Sequence, residues 1–224
     1  VSRIPRSHKT KRAPLSAARI AAAALALVDE KGLDGLSFRA LAAKLRCEAM
    51  SLYHYYPSKA HLLDAMADLF LGEIPPVDRS LPWLDRLRAL ARVYRGAALR
   101  HPRFFQFMSL YRMNSRAGLS FLNAILMAFE DSGLDAEQRA QLFRVLGYFV
   151  TGAALDEALG YAKGPSAAVP VPEEEARRDF PAIMAVGPFF KPEYHTLTFE
   201  AGLDTILRRV AEAAGVPYSF TGTV

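Results

Sequence analysis

Residues 36–66 read LSFRALAAKLRCEAMSLYHYYPSKAHLLDAM, and this stretch decides the fold. Ser37 is a good helix N-cap, and Leu36 and Leu41 are spaced to staple the helix start. The apolar period predicts a short helix from there to about Leu45. A second short helix is expected from about Glu48 to Tyr55. It stops before Pro57, because the residue ahead of a proline avoids the helical region. Ser58 then caps another helix, from Lys59 to about Leu71. Two short helices across a tight turn form a helix-turn-helix, whose second helix can enter a DNA major groove.

Working outward, residues 1–14 (VSRIPRSHKTKRAP) hold five Lys/Arg and no acid. A flexible arm is expected there. Contact with phosphates or a minor groove, and a simple disordered end, both fit it. Ser16 caps the first helix, with Ile20, Ala24, Leu27 and Val28 on one apolar face and Gly32 at the stop. Beyond residue 72 the chain reads as a succession of helices, at residues 81–100, 102–113, 116–132 and 135–161. Asp135 with Gln138 makes a capping-box pattern. A Pro-rich loop at 163–172 and an acidic-to-basic segment at 173–180 follow. Residues 180–192 are broken by Pro and Gly, and residues 194–214 form the last helix. The expected class is all-α.

The net charge of the 224-residue chain is +5, unevenly placed. Residues 1–59 carry eleven Lys/Arg and four Asp/Glu, so +7, and the rest is −2. A basic N-terminal quarter is the footprint of a polyanion partner. Cys47 is the only cysteine, so no disulfide or Cys-based zinc site can form within one chain, which suits a reducing cytoplasm. No secretory signal and no apolar run of about 20 residues appear, so no membrane role is expected.

Residues 15–71 resemble the DNA-binding domain of the TetR family of bacterial transcriptional regulators. GLDGLSFRALAAKL and SLYHYYPSKAHLLDAM carry the resemblance, through Leu52, Tyr53, Pro57, Ser58, Lys59, Leu62 and Leu63. It implies three divisions: a basic arm at 1–14, a helix-turn-helix domain at 15–57 with 58–72 as connecting helix, and a helical ligand-binding and dimerisation domain at 73–224. It also implies a homodimer that binds a double-stranded DNA operator with inverted repeats, acts as a repressor, and is released by a small hydrophobic or aromatic effector. Control without a small molecule, and activation in place of repression, stay open. No cofactor and no metal are implied.

The resemblance and the residue chemistry together nominate a DNA-facing set. Ala49, Met50 and Ser51 open the recognition helix, where apolar groups meet thymine methyls and Ser51 suits several bases. Arg39 matches a base-reaching position, and arginine to guanine is the commonest specific major-groove contact. Tyr53, His54 and Tyr55 resemble the phosphate-contacting group, while Tyr56 is assigned to packing. Ser37 and Lys59 sit at helix starts that can meet phosphate. Family members commonly place Gly in the turn, where this chain has Arg46. A positive φ there costs about 1 kcal/mol for a non-Gly residue, and a phosphate contact would offset it.

In the body, aromatic and methionine side chains concentrate at residues 104–113 and 121–149. Such a stripe suits either plain core or a pocket wall. The candidate effector residues are Phe104, Phe107, Met108, Tyr111, Asn123, Tyr148, Phe149 and Asp156, with Gln106 as a further anchor. The dimer face is expected from the small residues Gly147, Thr151, Ala154 and Ala158, and from Leu203, Ile206, Leu207 and Val210. Enzymatic function is not expected. The histidines lack metal-protease spacing, and no nucleophile elbow, P-loop or dinucleotide fingerprint occurs.

Overall fold

The computed structural model describes residues 14–160 and 167–218, and among these every regular element is helical. The chain divides into two units, Val1–Met66 and Ala67–Val224.

The first unit is built by caps and a small core. α1 (Ala17–Lys31) starts where the Ser16 side chain accepts from the Arg19 amide, and ends at Gly32 with φ 75°. A single 3-10 turn, Leu33–Gly35, leads to α2 (Phe38–Leu45). The Ser37 hydroxyl accepts from the Ala40 amide at 3.1 Å. α2 ends on Arg46 in the left-handed conformation, φ 55° and ψ 49°. This is the positive φ anticipated for the turn. α3 covers Ala49–Tyr53. Ile20, Ala24, Leu41, Leu52 and Leu62 are buried between these helices. α4 (Lys59–Gly72) follows.

α3 is shorter than its apolar pattern suggests. The amides of Tyr55 and Tyr56 both donate to the Leu52 carbonyl at 3.0 Å, which closes the helix into a turn ahead of Pro57.

In the second unit α5 (Trp83–Arg100), α6 (Pro102–Met108), α7 (Arg116–Glu130) and α8 (Ala136–Leu159) pack together, and α11 (His195–Ala213) packs on α5 and α8. The Asp135 capping box is formed in both directions. α8 ends at Gly160, and Tyr161 lies outside the described residues. α6 stops at Met108 and does not reach Met113. Leu110 and Tyr111 bond carbonyls three residues back, and the Ser109 hydroxyl donates to the Gln106 carbonyl. Two short helices, α9 (Glu173–Asp179) and α10 (Pro181–Val186), precede α11. α10 forms where breaks were expected, because Pro181 occupies a first-turn position that needs no N–H.

Charged pairs tie α5 to α8 and to α11. Arg95 holds Glu157 with two bonds of 2.7 and 2.8 Å, and its guanidinium lies over the Phe199 ring. Arg92 holds Glu200 the same way, at 2.8 Å twice. Burial works against the Asp204 charge, yet bonds from Tyr218, Arg208 and Arg88 hold its carboxyl below the usual range. Leu203, Leu207 and Val210 are fully covered within the single chain, as is Ala154. Of the eight residues expected at a dimer face, these four sit in the core of the single chain, while Gly147, Thr151, Ala158 and Ile206 are half-buried. The large apolar side chains that α8 leaves exposed are Val145, Tyr148 and Leu159.

Candidate functional site

The DNA-facing candidates all lie in the helix-turn-helix unit. Arg39 and Met50 are exposed, Met50 at 70%. Ala49 and Ser51 are half-buried in the first turn of α3, and His54 is exposed just past its end. Arg46 is exposed at the turn. Together they place one apolar tip and two guanidinium groups around a single short helix.

Phe38 was missed by sequence reading. Its ring stacks on Tyr53 at 4.4 Å with 11° between planes. Tyr53 stays 44% exposed, so one ring face is packed while the side chain remains reachable. Phe38 opens α2, where no periodic signal marks it as facing α3.

Tyr55 and Lys59, both nominated for phosphate, have partners in the protein. The Tyr55 hydroxyl donates to the Leu15 carbonyl at 2.8 Å. The Lys59 ammonium donates to the Leu33 carbonyl at 3.2 Å. Either must exchange that bond to reach a phosphate. Ser37 is engaged as an N-cap. Tyr56 is buried and donates to the Ala17 carbonyl at 2.9 Å, and burial raises its phenol pKa. The packing role expected for Tyr56 fits these contacts. The basic arm, residues 1–13, lies outside the described residues.

In the second unit a cavity of about 250 Å³ opens among α5, α7, α8 and the segment that follows α6. Its wall is apolar, with Leu87, Leu90, Met113, Phe121, Ile125 and Leu146 among the lining. The polar side chains on it are Tyr94, Ser109, Tyr148 and Thr151. Tyr94 is buried and stacked on Phe121 at 5.3 Å. Burial pushes its phenol up to about 12, against a hydrogen bond with Thr151 that lowers it.

Of the nominated effector residues, Tyr148 borders this cavity. Phe149 and Asp156 border a second one, of about 270 Å³, with Phe189, Phe190 and Tyr194. Phe104 and Met108 are fully buried core. Phe107 packs between Phe104 and Tyr111, and neither Phe107, Tyr111 nor Asn123 lines either cavity. Tyr94, Ser109 and Thr151 were not foreseen. Hydropathy marks which face of a helix is buried, and not whether that face meets side chains or a void.

The chain matches known proteins along most of its length. Residues 20–66 match the family described as "Bacterial regulatory proteins, tetR family". Residues 76–213 match "Tetracyclin repressor-like, C-terminal domain". The HTH-type transcriptional repressor DrrR1 of Streptomyces coeruleorubidus is 34% identical over 139 residues, 61% of this chain and 51% of that protein. The tetracycline repressor protein class A from transposon 1721 of Escherichia coli is 31% identical over 146 residues, 62% of this chain and 65% of that protein. The chain thus spans about half to two thirds of these relatives. The structure of the Streptomyces coelicolor TetR family protein ActR in complex with actinorhodin superposes with a TM-score of 0.70 at 26% identity, covering 91% of this chain and all of ActR. A helix-turn-helix unit matched at 20–66 and a helical body matched at 76–213 place this chain in the TetR family of bacterial transcriptional regulators.

Proposed function

We propose that this protein is a ligand-responsive repressor, binding an inverted-repeat operator as a homodimer in the cytoplasm. The observation that carries the reading is a short recognition helix bearing the exposed Met50, with the exposed Arg39 on the helix before it, in a chain that also holds an apolar cavity. Ala49, Met50 and Ser51 face base edges, with Arg39 supplying the strongest single base preference. Ser37, Arg46, Tyr53, His54, Tyr55 and Lys59 meet phosphates and set the docking register.

A two-fold dimer presents two such helices to half-sites about one turn apart, ~34–36 Å. A small apolar ligand that binds a DNA-incompetent arrangement more tightly must weaken operator binding, and operator must weaken ligand binding by the same factor. ActR, whose structure holds actinorhodin, supports a ligand-binding body of this kind.

Genomic fragments selected by the purified protein across a salt series test the DNA half of the reading. One enriched inverted repeat, with affinity falling steeply as salt rises, is expected. Equal recovery of all fragments would mean that the helix-turn-helix does not read sequence here.

A further inference from the structure

Among the described residues, the wall of the 250 Å³ cavity carries no side chain that is ionised at neutral pH. Its fifteen lining residues include no Asp, Glu, Lys, Arg or His. Tyr94 is the one buried titratable group, and its pKa of about 12 keeps it a neutral phenol. Arg144 is near this wall, and its guanidinium bonds the hydroxyl of the exposed Tyr148 at 3.3 Å. It stands in solvent and does not line the wall.

Tyr94 and Thr151 both border the cavity, and a hydrogen bond from the Thr151 side chain works against the rise of the Tyr94 phenol. Two hydroxyls have two protons and four lone pairs between them. Their mutual bond uses one proton and one lone pair. One donor is therefore left at a wall whose other polar side chains are Ser109, which donates to the Gln106 carbonyl, and the exposed Tyr148. The flat Phe121 ring stacked on Tyr94 gives the cavity one planar side.

We propose that this cavity selects uncharged planar ligands that carry one hydrogen-bond acceptor, and that Tyr94 with Thr151 is the anchor for that acceptor. The inference rests on the reading of the body as an effector domain and goes further, to the ligand's charge and to the residues that hold its polar group. A charged group is rejected because no counter-ion lines the wall to offset its desolvation. A ligand with no acceptor is bound less well because the free hydroxyl donor stays unpaired.

Three near-isosteric probes separate these statements: 2-acetylnaphthalene, 2-naphthoate and 2-ethylnaphthalene. Binding of each to the full chain is measured by calorimetry at neutral pH. The ketone should bind about 100-fold more tightly than the carboxylate. It should also bind about five-fold more tightly than the hydrocarbon. Tyr94→Phe with Thr151→Val keeps the shape and should abolish the preference over the hydrocarbon while keeping the preference over the anion.

Gly147 borders the cavity, and a Cβ there meets no heavy atom within 4 Å. Gly147→Leu should therefore fill the void and abolish binding of all three, with an unchanged circular dichroism spectrum. Tighter or equal binding of 2-naphthoate, lost in Gly147→Leu, overturns the proposal and leaves the effector-domain reading standing. Equal affinities unaffected by Gly147→Leu, or no binding of any probe, overturn the proposal and remove the cavity from the effector reading as well.

Discussion

A Cβ on Gly202 would lie 2.5 Å from the ring of Phe149, so α11 and α8 meet at a separation that glycine alone permits. Phe149 is itself stacked on Phe199 at 5.6 Å, which limits where its ring can go. Gly202→Ala should destabilise the protein by about 1–2 kcal/mol. Overpacking costs roughly 1–3 kcal/mol, and the better helix propensity of Ala offsets up to about 1. Urea unfolding of the two proteins measures the difference. A gain in stability would show that the helices move apart freely.

The Phe38–Tyr53 stack fixes the side of α3 that meets α2. An aromatic pair of this kind contributes about 0.5–1.5 kcal/mol beyond its buried area. Phe38→Ala should lower the unfolding midpoint and weaken operator binding, with base preference unchanged. Competition among single-base operator variants checks that last point. An altered preference would give Phe38 a direct reading role.

Arg39→Ala should act in the opposite sense. Loss of an arginine–guanine contact costs about 1–3 kcal/mol and relaxes preference at one base pair of each half-site. Stability should stay within about 0.5 kcal/mol, because the side chain is exposed. Fluorescence anisotropy with the same operator variants reads it. Uniform weakening across all variants would assign Arg39 to a phosphate instead.

Arg46 holds φ 55° without the benefit of being glycine. Arg46→Gly should relieve about 1 kcal/mol of backbone strain and raise the midpoint of thermal unfolding. If the guanidinium meets a phosphate, the slope of log affinity against log salt should also become shallower by about 1 per protomer. A more stable protein with the parent's salt slope would leave strain relief as the whole effect.

Tyr94 makes stability depend on alkaline pH. Its folded pKa, about 12, exceeds the ordinary value of 10.0 because burial disfavours the phenolate. The neutral phenol's contribution is complete below pH 10 and is lost as pH rises through 10 toward 12. The loss should reach about 2–3 kcal/mol. Tyr94→Phe should reduce this alkaline slope in urea titrations. It should not remove it, because burial and Asp204 also raise Tyr218 to about 12.

The local chemistry of this fold is legible in its sequence. Ser16, Ser37 and the Asp135–Gln138 box start their helices where the residue types place them, and Arg46 takes the left-handed conformation expected of a turn position. Those signals act over a few residues of chain. The cavity depends instead on how α5, α7 and α8 are set against each other. Tyr94 and Thr151, 57 positions apart, meet for reasons no local pattern carries. The same holds for Leu203 and Leu207. An apolar stripe shows that a face is covered and does not say by what, and here the cover is the chain's own α5 and α8.

Gly147 bears on how such a protein diversifies. Most positions around a binding cavity also hold the fold, so changing the ligand means risking the structure. At Gly147 the two demands separate, because the space beside it is empty. A first methyl group there meets no neighbour, so side chains of graded size would reshape the void in steps. A lineage could therefore drift from one small molecule to another through a single codon, while its reading head and its scaffold stay as they are.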